Sequence, residues 1–131
     1  EDNLKGFYMG DGALYTYCRG DEYLNIFPFW DWRKIPGITA YESEAPVPAF
    51  FNYGAHVRNK TAFVGGVTDG ETGMTAMVLD RDGLQAHKSW IFTRDYVLCL
   101  GAGIRSDSIL AVTTSVDQRV KRGDLLRYGR W

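Results

Sequence analysis

The sequence predicts an all-β protein assembled from antiparallel strands. Three observations carry that expectation. Short runs of apolar, β-branched and aromatic residues are separated by turns rich in Gly and Asp. Aromatic residues make up 15% of the chain and Gly contributes 15 positions, a composition suited to strands broken by turns. Several runs are apolar at successive positions, so both of their faces need cover. A one-faced sheet does not require that; one part of a large multilayer antiparallel β sandwich does. The reading gives about seven strands and no helix.

Taken in order, residues 1–5 are polar and read as a linker or the tail of an incoming strand. Residues 6–9 read as a short strand and residues 13–19 as a second. Gly10-Asp11-Gly12 lies between them, so the pair reads as a hairpin. Gly20-Asp21-Glu22 ends it. Residues 23–60 then form a long connection. Pro28 and Pro36 remove backbone donors, which excludes a helix interior or a central strand there, and Pro36-Gly37 marks a turn. Glu42, Glu44, Pro46 and Pro48 argue against a helix, while Phe50, Phe51 and Tyr53 form an apolar cluster that pins the loop. Loops of this size inside a domain are commonly functional.

From Thr61 the strand pattern is dense. Strands are expected at residues 62–67, 74–79, 84–93, 96–100 and 109–116. Gly65-Gly66 inside the first marks a bulge, a bend or a close backbone approach. Asp80-Arg81-Asp82-Gly83 is the clearest turn in the chain. In residues 84–93, Lys88 alternates in phase with Ala86, Trp90 and Phe92, which places it near an edge or a pocket. Trp90, Tyr96, Leu98 and Leu100 are expected in or near the core. Gly101-Ala102-Gly103 permits tight backbone packing. The segment from Asp117 onward is basic and mixed.

The chain has 131 residues, enough for one domain or part of one, and a formal net charge of -1. That balance gives no basic surface for nucleic acid. No apolar run approaches the roughly 20 residues that a membrane-spanning helix needs. Cys18 and Cys99 are the only cysteines; they could form one disulfide but need not, and a free buried cysteine is ordinary in such segments. The two Cys and two His are too scattered for a zinc site, so no metal or cofactor is expected. His56 and His87 lack partners for nucleophilic chemistry, and the paired carboxylates at Glu42/Glu44 and Asp21/Glu22 read as solvated loop groups. Asn59-Lys60-Thr61 fits a glycosylation acceptor and points to an exposed site.

The stretch from Tyr23 to Thr39 carries the strongest functional signal. Trp30 and Trp32 flank Asp31, and Arg33 and Lys34 follow. The apolar face of a sugar ring stacks on indole, and an acidic sugar needs a cation such as the fork of Arg. The competing reading buries both indoles as loop anchors and pairs Arg33 with Asp31 or Glu22.

Gly10-Asp11-Gly12, Gly20-Asp21-Glu22-Tyr23, Phe27-Pro28-Phe29-Trp30-Asp31-Trp32-Arg33 and Ile35-Pro36-Gly37-Ile38-Thr39 occur together and in order. Phe63-Val64-Gly65-Gly66-Val67, Lys88-Ser89-Trp90, Leu100-Gly101-Ala102-Gly103-Ile104 and Thr113-Thr114 continue the set. The set resembles the central β domain of the polysaccharide lyases that cleave chondroitin, hyaluronan and xanthan. The resemblance spans nearly the whole chain and implies residues 1–131 are the N-terminal portion of that multilayer domain, the supersandwich.

It further implies β-elimination at a uronic acid, with an acidic polysaccharide as partner and no cofactor. The catalytic Tyr, His, Asn and Arg of that family lie on a preceding helical domain, so no catalytic residue is expected in this chain. A supporting Glu precedes an Asn-Leu-Lys-Gly stretch, matched here by Asn3-Leu4-Lys5-Gly6. That position holds Asp2, an acid one methylene shorter, with Glu1 one residue earlier. The substrate contacts expected here are Asn3, Trp30, Trp32 and Arg33. Secretion or a periplasmic location follows from the same resemblance. The alternative is a carbohydrate-binding β-sandwich module with no catalytic role.

Overall fold

The structure is a computed structural model that describes residues 5–48 and 59–124. Six strands are formed: β1 (Thr39–Tyr41), β2 (Val64–Thr68), β3 (Gly73–Arg81), β4 (Leu84–Phe92), β5 (Val97–Ser106) and β6 (Val112–Thr114). β2-β3-β4-β5 make one antiparallel sheet in sequential order, and β1 pairs with β6 in a second. The all-β antiparallel class is as expected.

The hairpin of β3 and β4 anchors the larger sheet. Arg81 pairs with Leu84, leaving a two-residue loop of Asp82 (φ 53°) and Gly83 (φ 79°). Positive φ at both positions matches the right-handed strand twist, which is why Asp-Gly is favoured there. β2 pairs with β3 without a register shift. Gly66 serves close approach: a Cβ there would sit 2.9 Å from Thr75 Cγ2 and 3.0 Å from the Met74 carbonyl, whereas one on Gly65 would meet nothing within 4 Å. On β5, one extra residue falls opposite Gln85–His87, where Gly103 takes φ 59°; this is a bulge.

The two N-terminal strands expected from the sequence do not form. Gly6–Tyr8 is a 3-10 turn, and residues 13–19 are extended without a ladder. Their donors find other partners. Leu14 N donates to the Pro36 carbonyl (2.9 Å), Thr16 N to the Tyr23 hydroxyl (3.4 Å), and Cys18 N and Arg19 N to the Glu22 carboxylate (2.7 Å each). Side chains and a loop carbonyl take the place of a partner strand. Conversely, β1 is a strand that the sequence reading left as loop. It is three residues long and its partner β6 lies far downstream, with Thr39 and Thr114 hydroxyls 2.9 Å apart.

Two buried clusters make the core. Phe7, Tyr8, Tyr23, Trp30, Ile35, Ile38 and Ala40 gather under the N-terminal loops. Met77, Leu79, Leu84, Ala86 and Trp90 line one face of the sheet. The expectation for Trp90 holds, but Tyr96 (65% exposed), Leu98 (46%) and Leu100 (46%) are outside the core of this chain. Strand alternation explains the correction. Leu98 pairs with Ile91 and Leu100 with Ser89, so both point to the face opposite Trp90. On that face Val67, Met74, Ile91 and Leu98 form one cross-strand row through all four strands. Nothing among the described residues covers it. Both faces are thus apolar, as a multilayer sandwich needs.

Cys18 and Cys99 are free and exposed rather than buried. Asn59 is half-buried, not an open acceptor. Its Nδ2 donates to the Thr61 hydroxyl (3.0 Å) and to the Val78 carbonyl, and its Oδ1 accepts from Asp80 N. It ties the approach to β2 onto β3. The apolar cluster Phe50, Phe51 and Tyr53, and His56, lie outside the described residues.

Candidate functional site

The Trp-Asp-Trp-Arg stretch is built by a local turn and a distant clamp. Pro28 sits in the first turn of a 3-10 segment, Phe27–Phe29, which sends neighbouring rings in different directions. Trp30 points inward and is 6% exposed, packed edge-to-face on Tyr23 (6.1 Å between centroids) and Phe27 (5.8 Å). Trp32 is half-buried and stacks parallel to Phe27, with centroids 5.9 Å apart and planes 13° apart. Phe27 (59% exposed) and Phe29 (89%) stand in solvent.

Gln118 clamps the turn from behind. Its Oε1 accepts from Asp31 N (2.7 Å), and its Nε2 donates to the carbonyls of Asp31 and Lys34 (3.0 Å each). Within the turn, Arg33 N donates to Asp31 Oδ1 (2.9 Å). The Arg33 guanidinium donates to the Tyr8 hydroxyl (2.8 Å) and to the carbonyls of Ala45 (2.7 Å) and Pro46 (3.1 Å). Arg33 therefore fastens the loop after β1 to the N-terminal segment. It also lines an open cavity of about 650 Å³ together with Asp31, Lys34, Tyr41, Glu42 and Glu44. Lys34 and Glu42, both exposed, form an ion pair across it (3.7 Å). Opposite charges line this cavity together.

Upstream, Glu22 closes the loop that precedes the aromatic stretch. The amides of Arg19, Cys18 and Gly20 all donate to its carboxylate and hold its pKa down, to about 2. Beneath the site, Arg81 and Lys88 rise from the sheet. Arg81 is buried; it donates to the Phe7 carbonyl (3.1 Å) and bonds the Asp11 carboxylate. Its guanidinium lies over the rings of Phe7 (4.4 Å) and Tyr8 (5.1 Å). Lys88 is also buried, and its ammonium donates to the carbonyls of Asp11 (3.0 Å) and Gly37. Of the edge or pocket that its alternation allowed, Lys88 thus occupies a pocket. Burial raises the Asp11 carboxyl to about 6, against the opposing pull of Arg81 and Lys88. Burial lowers Lys88 to about 8.

Of the residues expected at the site, Arg33 lines the open cavity, Trp32 is half-buried in its stack with Phe27, and Trp30 lies in the core. Asn3, Asp2 and Glu1 lie outside the described residues. Sequence reasoning missed Phe27, whose stack with Trp32 makes the exposed aromatic surface. The Phe-Pro-Phe turn was its signal. It also missed Gln118, which no local pattern marks. Among the described residues no group of His, Cys, Asp and Glu is arranged to hold a metal ion.

Two antiparallel sheets, the larger one apolar on both faces, beneath an aromatic loop define the class: an all-β fold of the sandwich type. The chain belongs to polysaccharide lyase family 8, whose super-sandwich domain matches residues 1–130. It is 42% identical to chondroitinase AC of Pedobacter heparinus over 126 residues, 96% of this chain and 18% of that protein. It is 37% identical to hyaluronate lyase of Thermasporomyces composti over 125 residues, 90% of this chain and 15% of that one. In three dimensions it resembles a chondroitinase AC lyase solved in oligosaccharide complexes, with TM-score 0.84, 41% identity and coverage of 92% of this chain and 18% of that one. Streptomyces coelicolor A3 chondroitin AC lyase in complex with chondroitin sulphate gives TM-score 0.72 at 30% identity, covering 95% and 18%. The chain thus spans less than one fifth of the length of these relatives.

Proposed function

We propose that this chain is the front portion of the central β domain of a polysaccharide lyase, and that it forms one wall of the substrate cleft. The substrate is a uronate-containing glycan of the chondroitin, hyaluronan or xanthan type. Family membership along residues 1–130 carries the reading. The Phe27–Trp32 stack and the neighbouring Arg33 support the cleft role.

The chemistry is β-elimination. A base removes the proton at C5 of the uronic acid, the electron pair forms the C4–C5 double bond, and the C4–O bond to the leaving sugar breaks. The leaving oxygen takes a proton. The base must reach the proton within about 3 Å, from a rigid element. In this proposal a Tyr on a preceding helical domain of the same parent chain supplies it. Asp2, with Glu1 beside it, orients a cationic group across the cleft. Asn3, Trp32 and Arg33 face the glycan, and Trp30 supports Trp32 from the core. A polymer of this kind is degraded outside the cytoplasm, so the parent is secreted or periplasmic.

The test is the unsaturated uronate product, followed by ultraviolet absorbance, from the full-length parent. Phe27→Ala and Trp32→Ala are expected to raise KM while the fold is kept. A second reading, a non-catalytic carbohydrate-binding module, is favoured by the exposed aromatic stack taken alone. Calorimetric binding of an acidic glycan by the parent without any unsaturated product would select it.

A further inference from the structure

We infer that Lys88 and Arg81 are positioning residues for this cleft wall: from adjacent strands of the sheet they lock the segment from Phe7 to Gly12 against the Arg33–Gly37 turn. The inference rests on the lyase reading. Neither residue touches the exposed rim, and neither is needed to fill space with charge. A buried cation is costly to desolvate, and an apolar side chain of the same volume would pack as well. What these cations supply is directed bonds: Lys88 to two chain segments at once, and Arg81 to two points of the Phe7–Gly12 segment.

Lys88 joins them directly. One ammonium holds the carbonyl of Asp11 and the carbonyl of Gly37, with the Trp90 ring 5.3 Å away as its third neighbour. The seat is tight. A Cβ on Gly12 would meet Trp90 at 2.6 Å and Lys88 Nζ at 3.0 Å, and Gly12 takes φ +88°. A side chain there is excluded by space and by backbone conformation alike. Two residues past Gly12, Leu14 N donates to the Pro36 carbonyl of the same turn (2.9 Å).

Arg81 continues the lock. It fixes Phe7 through its carbonyl and Asp11 through its carboxylate. It lies 5.1 Å from the Tyr8 ring, and the Arg33 guanidinium lies 5.7 Å from that ring and bonds its hydroxyl. Tyr8 is therefore shared by Arg81 below and Arg33 at the rim. In sequence the segment so fixed begins four residues after Asn3, the proposed glycan contact. A loosened lock would shift the rim relative to groups across the cleft, and misplacement of about 1 Å can cost about a hundredfold in rate.

The experiment uses the full-length parent carrying Lys88→Met, with kcat and KM on an acidic glycan and amide hydrogen exchange measured together. The expected result is a fall in kcat of about tenfold to a hundredfold with KM little changed. Exchange should quicken at the amides of Leu14 and Gly37 and stay slow at Val78 within the sheet. Restoring kcat by lowering the temperature well below the melting point would show a stability effect only and overturn the inference. Unchanged kcat with quickened exchange at Leu14 and Gly37 would overturn it as well. If Lys88→Met does not fold, Asp11→Asn keeps the carbonyl for Lys88 and removes the charge that faces both Arg81 and Lys88; it should show the same kcat fall in milder form, and normal kcat there overturns the inference. A wild-type parent that yields no unsaturated product instead removes the lyase reading and the positioning role with it; the exchange pattern then reports a structural tie alone.

Discussion

Gln118 holds Asp31 from both sides of one peptide turn, accepting from its amide at 2.7 Å and donating to its carbonyl at 3.0 Å. The side-chain amide imitates a strand edge, giving a short loop the pairing that a neighbouring strand would give. This clamp sets where Trp32 and Arg33 emerge. Gln118→Ala removes the bonds to Asp31 N and to the Lys34 carbonyl, while the Asp31 carbonyl keeps its bond from Lys34 N (3.0 Å); these groups are exposed to water, so the cost is about 0.5–1.5 kcal/mol. The expected outcome is faster hydrogen exchange at Asp31 and a lower affinity for glycan, with the sheet amides unchanged. Unaltered exchange at Asp31 would contradict this role.

Leu79 and Leu98 offer a contrast between the two faces of the sheet. Leu79 is 1% exposed and Leu98 is 46% exposed within this chain. Leu79→Ala should destabilise the parent by about 2–5 kcal/mol. If a further layer of the sandwich covers the row of Val67, Met74, Ile91 and Leu98, Leu98→Ala in the parent will cost a comparable amount. Denaturant unfolding of the two variants decides it. A negligible effect from Leu98→Ala would mean that this face stays open.

The buried ion cluster gives the domain a pH signature with two arms. The Asp11 carboxyl is raised from 3.8 to about 6 in the folded state. The folded state therefore binds more protons between those values, and this group's contribution to stability falls as pH rises from about 4 to about 6. Lys88 is lowered from 10.5 to about 8. Between those values the unfolded state binds more protons, so this contribution rises with pH from about 8 to about 10.5. Denaturation midpoints of the parent across pH, compared with Asp11→Asn and Lys88→Met, check it. Asp11→Asn should flatten the acidic arm and Lys88→Met the alkaline one. An acidic arm identical in wild type and Asp11→Asn would refute the assignment.

Phe27 and Trp32 act as one surface in the cleft reading. Each single alanine variant should weaken glycan binding, and the double variant should be little worse than either, because the stack needs both rings. Isothermal titration with an oligosaccharide measures this. Fully additive losses would show two independent contacts.

Much of this fold can be read from the chain. Dense apolar runs separated by Gly and Asp turns marked β2 to β5, with alternation clear in β4, and Asp82-Gly83 sets the hairpin by its backbone conformation. The special position of Lys88 was also legible, because a lysine in phase with Ala86 and Trp90 needs either an edge or a pocket. What it bonds was not, since Asp11 and Gly37 reach it through backbone carbonyls that no side-chain pattern reveals. The β1–β6 pair escaped because three-residue strands carry almost no periodicity and their partners are remote. The apparent strand at residues 13–19 misled because its apolar alternation is real while its donors turn to Glu22, Tyr23 and Pro36. At the site, the aromatic loop stood out by composition. Which indole faces out was hidden by the Pro28 turn, which reverses the direction of the rings.

The most direct test of the cleft-wall reading compares the full-length parent with the isolated 131-residue chain on chondroitin, hyaluronan and xanthan-derived oligosaccharides. Ultraviolet absorbance of the unsaturated uronate product is followed for both. The parent should generate product and the isolated chain none, because in this reading the segment contributes binding surface and a supporting carboxylate while the base sits on another domain. Product formed by the carefully purified chain alone would contradict the reading and place a base within these residues.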